Sequence, residues 1–588
     1  MTRQHEYRFS VDEKGTEVDV RSIPDVSAAW VFSPHLYHVH DWGPEPTTWA
    51  EAMATPYAEK WVIAMLEERE SFRQRQVYIL VPRSQADGHR IFKSRPVLKM
   101  KFNPPTSEEP HGSLDKFKYR LTIAAFTSML VQGIDYKEKF ASTVRWAATK
   151  LIIAQAVMED WDLLHVDIKT FFLYGVLDEG KPVFMEQPEG WDTIDKPKDQ
   201  FICLLHKSMY GHPAASHCAQ KVLKETLTTE NNFTATTADD CVYVSDKRFP
   251  FYCVGGTHVD DILSTGDGDG LQLMTTTLES KFEITAKLNP TIITGVQIIR
   301  DRKKKFLKLH QGQYIRELLE EHGMTDCEQV DTPMDPATAR ALMLLPVDKA
   351  DPNSINKLQS LVGALLWLSK TRHDIAFATN LLARFTLTAT PAHVTFSMRL
   401  LRYLKGTIEY GVIFLAGFAE DGVISGQADA DFAGDLTSSR STSGGFLKVG
   451  RLGTICCNSS LERKISTSTG QAETYALASL VKDVVWTRHL AADMRRPQTN
   501  ATELDTDNQG VHIQSTKAIN HATAKHFRVS QAYIRGKGED GSIHVNKIGT
   551  HDNHSDFFTK ALCVELFRKH RDVVMGPEHL QKYVPADI

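Results

Sequence analysis

A multidomain α+β fold is predicted from three observations. The 588 residues exceed what one core usually organises, at roughly 100–200 residues per domain. Strand-like and helix-spaced apolar stretches alternate along the chain without an internal repeat. After Gly411 the pattern changes, and several short strands lead into one long helix. With 42% hydrophobic and 24% charged residues, disorder, collagen and a disulfide scaffold are excluded as global descriptions.

The elements follow in order. Residues 1–45 mix charge, proline and polar groups and read as an N-terminal tail. From residue 49 to 70, Met53, Tyr57, Trp61, Ala64 and Met65 recur at helical spacing, with Pro56 marking where the helix can begin. Residues 92–101 and 116–126 alternate like strands around a Pro- and Gly-containing loop, and 143–157 is helical. A short apolar strand, 163–167, ends in Asp167, and strands 242–245 and 252–263 carry Asp260–Asp261. Residues 271–282 and 313–321 are helices. Residues 331–352, with four prolines, read as a linker. Helices 354–369 and 392–405 follow, then strands to Asp431, a hairpin over 444–457, and a helix from 470 to 494 in which Ala472, Ala476, Leu480 and Val484 repeat at i+4.

Composition sets some limits. No apolar run approaches the roughly 18–20 residues of a membrane span. The eight cysteines lack CxxC spacing, which excludes a zinc knuckle and fits a reduced intracellular compartment. His35, His38 and His40 have no Cys or acidic cluster nearby and read as chance. The net charge of −5 argues mildly against a nucleic-acid partner.

Two acidic constellations carry chemistry. Asp167 at a strand end, facing Asp260 and Asp261 on a tight hairpin, can hold two divalent metals about 3.5–4 Å apart, which clamp the attacking 3′ hydroxyl and the leaving phosphate of an in-line phosphoryl transfer. Carboxylates suit this because Mg²⁺ is hard and takes oxygen ligands. The alternative is an Asp-Asp turn and an unrelated surface aspartate. In the C-terminal third, Asp429, Glu473, Asp507 and Asp556 fall beside strands and at the start of the long helix. Together they make a two-metal hydrolase site; singly, each is a solvated surface acid.

The surroundings of these acids resemble a known family. Asp167-Ile-Lys-Thr-Phe-Phe-Leu-Tyr-Gly175 is similar to the D-V-K-T-A-F-L-N-G motif of copia-type LTR retrotransposon reverse transcriptases. Lys207-Ser-Met-Tyr-Gly211, Val259-Asp-Asp-Ile262, Thr371-Arg-His-Asp-Ile375 and Leu401-Arg-Tyr-Leu-Lys-Gly-Thr407 match in order. Gln-Ala-Asp429-Ala-Asp, Ala-Glu473-Thr-Tyr, Asp507-Asn-Gln, Asp556-Phe-Phe-Thr-Lys560 and Lys525-His526 resemble the ribonuclease H domain of the same elements. Of that family's two glutamates in E-A-E, the second aligns with Glu473; the first is Gln471 here.

The resemblance implies a right-hand polymerase with fingers and palm over 46–290, a thumb-like segment and linker over 291–350, a connection over 351–420, a ribonuclease H-like α/β domain over 421–565 and a C-terminal tail over 566–588. It implies RNA-directed DNA synthesis and hybrid-RNA hydrolysis, with two Mg²⁺ (or Mn²⁺) per active site. Asp167, Asp260 and Asp261 would be the polymerase ligands, and Asp429, Glu473, Asp507 and Asp556 those of the hydrolase. Phe172 would exclude a 2′-hydroxyl, and Arg120, in Lys118-Tyr-Arg-Leu121, would bind the triphosphate. Core packing is the alternative for Phe172 and a plain surface arginine for Arg120. RNA template, DNA primer, RNA–DNA hybrid and deoxynucleotides are the implied partners, with no membrane. The implied location is the cytoplasm, in a virus-like particle, and the nucleus.

The sequence also departs from the family. His258 replaces the aromatic before V-D-D, and Ala214 and His217 replace a glutamine and an arginine that contact nucleotide or template. No nucleocapsid, protease or integrase motif precedes residue 49, which points to a fragment or a truncated reading frame. A catalytically silent nucleic-acid-binding remnant is therefore the second expectation. In either case the −5 reflects a weakened substrate grip, with Arg300–Lys305 the candidate basic surface.

Overall fold

The computed structural model describes residues 43–585 except 103–112, 125–137, 178–181, 192–194, 230–231, 347–349 and 517–527. Most of the expected N-terminal tail, the His35/His38/His40 cluster and Lys525-His526 lie outside the described residues. Among the described residues no helix is long and apolar enough to cross a membrane.

Pro56 divides the first helical stretch. Helix α1 (Trp49–Ala54) ends before it and α2 (Ala58–Gln74) begins after it. Helix α2 packs on a ribbon of β3 (Ser94–Phe102) and β4 (Leu114–Ile123), with Trp61 edge-on to Phe117. A small sheet beside it has the order β1 (Tyr78–Pro82), β7 (Phe201–Leu205), β6 (Val183–Met185), β2 (Ile91–Phe92).

The first acidic constellation is built on a six-stranded sheet. Its order is β12 (Ile284–Leu288), β5 (Asp162–Ile168), β11 (Asp261–Gly266), β10 (Cys253–His258), β9 (Val242–Ser245), β8 (Phe233–Ala235). Strand β5 lies between β12 and β11, and Leu164, Val166 and Ile168 bury one face of it against α4 (Ala215–Thr228) and α5 (Gly268–Glu279). Helix α3 (Trp146–Met158) covers the other face; its residues 148–157 are all buried, so it shows no polar stripe.

The chain then forms β13 (Ile292–Ile293), β14 (Val296–Asp301) and β15 (Phe306–His310), and leaves through helices α6 (Gly312–Glu321), α7 (Pro336–Met343), α8 (Pro352–Leu368), α9 (Ala376–Ala383) and α10 (Pro391–Gly406). It returns as β16 (Gly411–Leu415) to pair antiparallel with β15. The expected linker thus contains α7, capped by Asp335, whose side chain accepts from the Thr338 amide. Pro336 occupies the first turn, where a missing N–H costs nothing.

The last sheet has the order β19 (Gly453–Leu461), β18 (Thr442–Val449), β17 (Ile424–Asp431), β20 (Thr502–Thr506), β21 (Ile543–Lys547). β17, β18 and β19 are antiparallel, while β17, β20 and β21 run parallel. Helix α11 (Thr469–Asp493) lies across β17 and β18, and α12 (Gln509–Thr516) and α13 (Arg528–Glu539) complete that layer. This is the ribonuclease H-like sheet-and-helix unit implied by the motifs.

One apolar cluster runs from α3 through β14, β15 and β16 to β17, β18 and α11. The stretch expected as a C-terminal tail instead carries α14 (Val564–Met575) and α15 (Glu578–Gln581). Val574, Met575 and Gln581 are fully buried there. Gln581 donates from Nε2 to the Gly411 carbonyl at 2.9 Å and accepts the Gly411 amide at 2.9 Å, while Lys308 Nζ donates to the Gln581 carbonyl at 2.7 Å. The basic run at 300–305 is also not free. Arg302 pairs with Asp160 at 2.9 Å and Asp162 at 2.9 Å, and Arg300 donates to the Ala156 carbonyl at 3.0 Å.

Candidate active sites

β10 and β11 meet in a two-residue turn, with His258 opposite Asp261 and Val259–Asp260 between them. Val259 has φ +60°, a left-handed conformation that a β-branched residue rarely adopts. The turn sets the three carboxylates. The β5–β11 register puts Asp261 directly across from Asp167, and residues opposite one another in a ladder share a sheet face. Burial, then the charges of Asp261 and Asp167, push the Asp260 carboxyl up to about 6. His165 Nε2 lies 2.9 Å from Asp261 Oδ1 and fixes that carboxylate from two residues before Asp167.

Arg120 and Phe172 converge on Tyr210, which lies in the Lys207–Gly211 segment. The Tyr210 ring takes the Phe172 ring edge-on at 5.5 Å and the Arg120 guanidinium over its face at 5.2 Å. Arg120 Nε is buried without a partner, and the guanidinium charge reaches Asp260. Arg120, Tyr210, Phe172 and Asp260 therefore belong to one neighbourhood. The substituted positions turn elsewhere: Ala214 is 7% exposed and offers no polar side chain, and His217 Nδ1 lies 3.2 Å from the Phe140 carbonyl.

The second constellation gathers on β17, α11 and the end of β20. Carboxylate oxygens of Asp429, Glu473 and Asp507 all lie within 4.8 Å of one another. Burial, then the charges of Asp429 and Asp507, push Glu473 up to about 9. Burial followed by the Asp556 charge raises Asp429 as well. Gln471, two residues earlier in α11, is occupied in accepting from the Thr467 amide at 2.8 Å. Asp556 stands outside the triad and pairs with Lys560 at 2.9 Å.

Asn553 had no distinguishing sequence signal. It is fully buried, and its Nδ2 lies 3.3 Å from both Asp429 Oδ1 and Asp507 Oδ1. Thr559 Oγ1 donates to Asp429 Oδ2 at 2.5 Å. The donor set is all oxygen and clustered, which fits a hard divalent cation. Asp429, Glu473 and Asp507 would hold it.

Several known proteins are similar to this chain in sequence. Residues 87–336 match the family model described as reverse transcriptase (RNA-dependent DNA polymerase). The retrovirus-related Pol polyprotein from transposon TNT 1-94 of Nicotiana tabacum is 30% identical over 540 residues, covering 90% of this chain and 39% of that protein. The Pol polyprotein from transposon RE1 of Arabidopsis thaliana is 28% identical, covering 89% of this chain and 34% of that protein. The foamy viral protease–reverse transcriptase, solved in complex with double-stranded DNA, matches with a TM-score of 0.40 at 10% identity, covering 77% of this chain and 67% of that one. Residues 87–336 thus match the reverse transcriptase family, and the chain is similar over most of its length to retrotransposon Pol polyproteins. It spans between a third and two fifths of the length of the two Pol polyproteins compared.

Proposed function

We propose that the protein is an RNA-directed DNA polymerase with a ribonuclease H site. It would take an RNA template, a DNA primer and deoxynucleotides, and hydrolyse the RNA of the resulting hybrid. The units are fingers and palm over 46–290, a thumb-like segment over 291–350, a connection over 351–420 and the ribonuclease H-like domain over 421–565. The observation that carries the reading is the pairing of Asp167 with Asp261 across the ladder, with Asp260 on the turn between β10 and β11.

In this reading Asp167, Asp260 and Asp261 hold divalent cations, Mg²⁺ or Mn²⁺, at the polymerase site. Asp429, Glu473 and Asp507 hold them at the hydrolase site, with Asp556 the fourth carboxylate. Bound cations supply charge stabilisation for the attacking and leaving oxygens. The chain's own groups do the positioning. His165 orients Asp261, Arg120 offers donors for the triphosphate, and the Phe172 ring, braced on Tyr210, narrows the space beside the sugar. At the second site Asn553 and Thr559 hold the Asp429 carboxylate in one orientation.

Primer extension on poly(rA)–oligo(dT) tests this. Incorporation that depends on Mg²⁺ and disappears in Asp260→Asn is expected; incorporation that persists in that variant overturns the metal-site assignment. A second reading is favoured by Ala214, whose methyl cannot reproduce an amide contact. On that reading the chain is a catalytically silent nucleic-acid-binding remnant, which binds hybrid with a steep salt dependence and turns nothing over.

A further inference from the structure

Lys370, just after α8, carries its ammonium 3.4 Å from the ring centre of Trp367 and 4.9 Å from that of Trp146. Trp367 lies on α8 and Trp146 opens α3, so the cluster joins two segments far apart in the chain. Among the described residues no carboxylate pairs with this ammonium, and burial alone pulls it down to about 7. The indole N–H of Trp146 is likewise buried without an acceptor. Two donors therefore adjoin with no anion between them. Half-burying a cation without a counter-ion is costly, and aromatic faces recover only part of that cost.

The cluster adjoins the catalytic turn. The Val144 amide, two residues before Trp146, donates at 3.0 Å to the carbonyl of Thr257 on β10, two residues before Val259–Asp260. On another side the β13–β14 turn presses on Trp367. A Cβ at Gly295 (φ +76°) would lie 3.3 Å from the ring, which explains a glycine there. No role in phosphoryl transfer uses Lys370, and no carboxylate nearby explains it.

We infer that Lys370, with the Trp146 N–H beside it, binds a backbone phosphate of the nucleic-acid strand that ends at the Val259–Asp260 turn. That phosphate is the missing counter-ion. The identity of the strand rests on the polymerase reading; the demand for an anion does not. A nucleotide triphosphate offers the same chemistry, but Arg120 already stands beside Asp260 for it, so the strand is the ligand that fits.

The test uses the full chain and fluorescence anisotropy with poly(rA)–oligo(dT). Lys370→Met should bind about tenfold more weakly, as expected for one lost charge-assisted contact. Its slope of log affinity against log salt should fall by about one. Lys370→Arg should keep both, and the KM for dTTP in extension should not move. Equal affinity and slope in Lys370→Met overturn the site. Independently of any folding defect, acetic anhydride labelling of the wild-type protein, read by mass spectrometry, should show Lys370 protected by poly(rA)–oligo(dT) and not by dTTP. Protection by dTTP alone, or by neither, overturns the inference. A wild-type chain that binds the duplex without extending it refutes polymerase activity and leaves the Lys370 result standing. A chain that binds no duplex refutes both.

Discussion

Asp261 faces Asp167 across the β5–β11 ladder, and His165, on the same strand as Asp167, reaches Asp261 at 2.9 Å. The histidine thus holds one carboxylate of the first acidic cluster in place. His165→Ala should lower the extension rate about 10–100-fold, the usual cost of losing a group that orients a ligand. Hybrid cleavage at the second site, which His165 does not touch, should be unchanged. Parallel steady-state assays of the two activities check this; equal losses in both would point to a folding defect.

Phe172 is braced edge-on by Tyr210, so its ring cannot swing aside freely. Phe172→Ala should open the space beside the sugar and raise ribonucleotide incorporation relative to deoxynucleotide by on the order of 100-fold, an upper range for discrimination by shape alone. Tyr210→Phe keeps the brace and should change the ratio little. Competition between rUTP and dTTP on poly(rA) measures both.

Glu473 titrates near 9 in the folded, metal-free protein against an ordinary value of 4.5. Its folded value is raised, so its contribution to stability is full below about 4.5 and is lost as pH rises through about 9. The metal-free protein should therefore melt at progressively lower temperature across that window. Glu473→Gln should flatten the decline and raise the melting temperature at about pH 8. Mg²⁺, which binds only the folded cluster, should stabilise the wild type more than the variant. Thermal melts with EDTA and with Mg²⁺ decide it.

Arg372 and Asp374 form an ion pair with no exposed surface on either side chain, at 2.8 Å. Tyr403 donates to Asp374 at 2.6 Å, and Arg372 donates to the Thr407 carbonyl at 2.8 Å. Arg372→Met strands a buried carboxylate and should cost about 3–5 kcal/mol in urea denaturation. Replacing both partners by apolar residues should cost less, because no orphan charge remains.

The fold class and most elements were legible because apolar periodicity reports directly on which face is buried. Residues 163–167 and 252–263 read as strands and fold as β5, β10 and β11. Helix α9 was missed because residues 377–383 are buried on every side, which leaves no polar stripe to reveal a helical period. Helix α7 hid behind prolines, although Pro336 at a first turn favours a helix. The motifs single out acidic residues, while the neighbours that shape their chemistry arrive through space. Asn553 lies 124 positions from the Asp429 it touches. The run at Arg300 looked like free basic surface because its partner Asp160 lies 142 positions from Arg302. Asp556 looked equivalent to the other acids, and only the structure sets it apart with Lys560.

The contact between Gln581 and Gly411 spans 170 positions, and that between Lys308 and Gln581 spans 273. Such separations make loop closure slow and couple remote stretches into one cooperative event. A nascent chain that has emerged only as far as β15 lacks both the strand and the glutamine that complete its edge. The two acidic sites are thus poor candidates for separate expression. Cleaving the chain near residue 350 should yield pieces that aggregate, because β15 and β16 then lie on different pieces and each carries an unpaired strand edge.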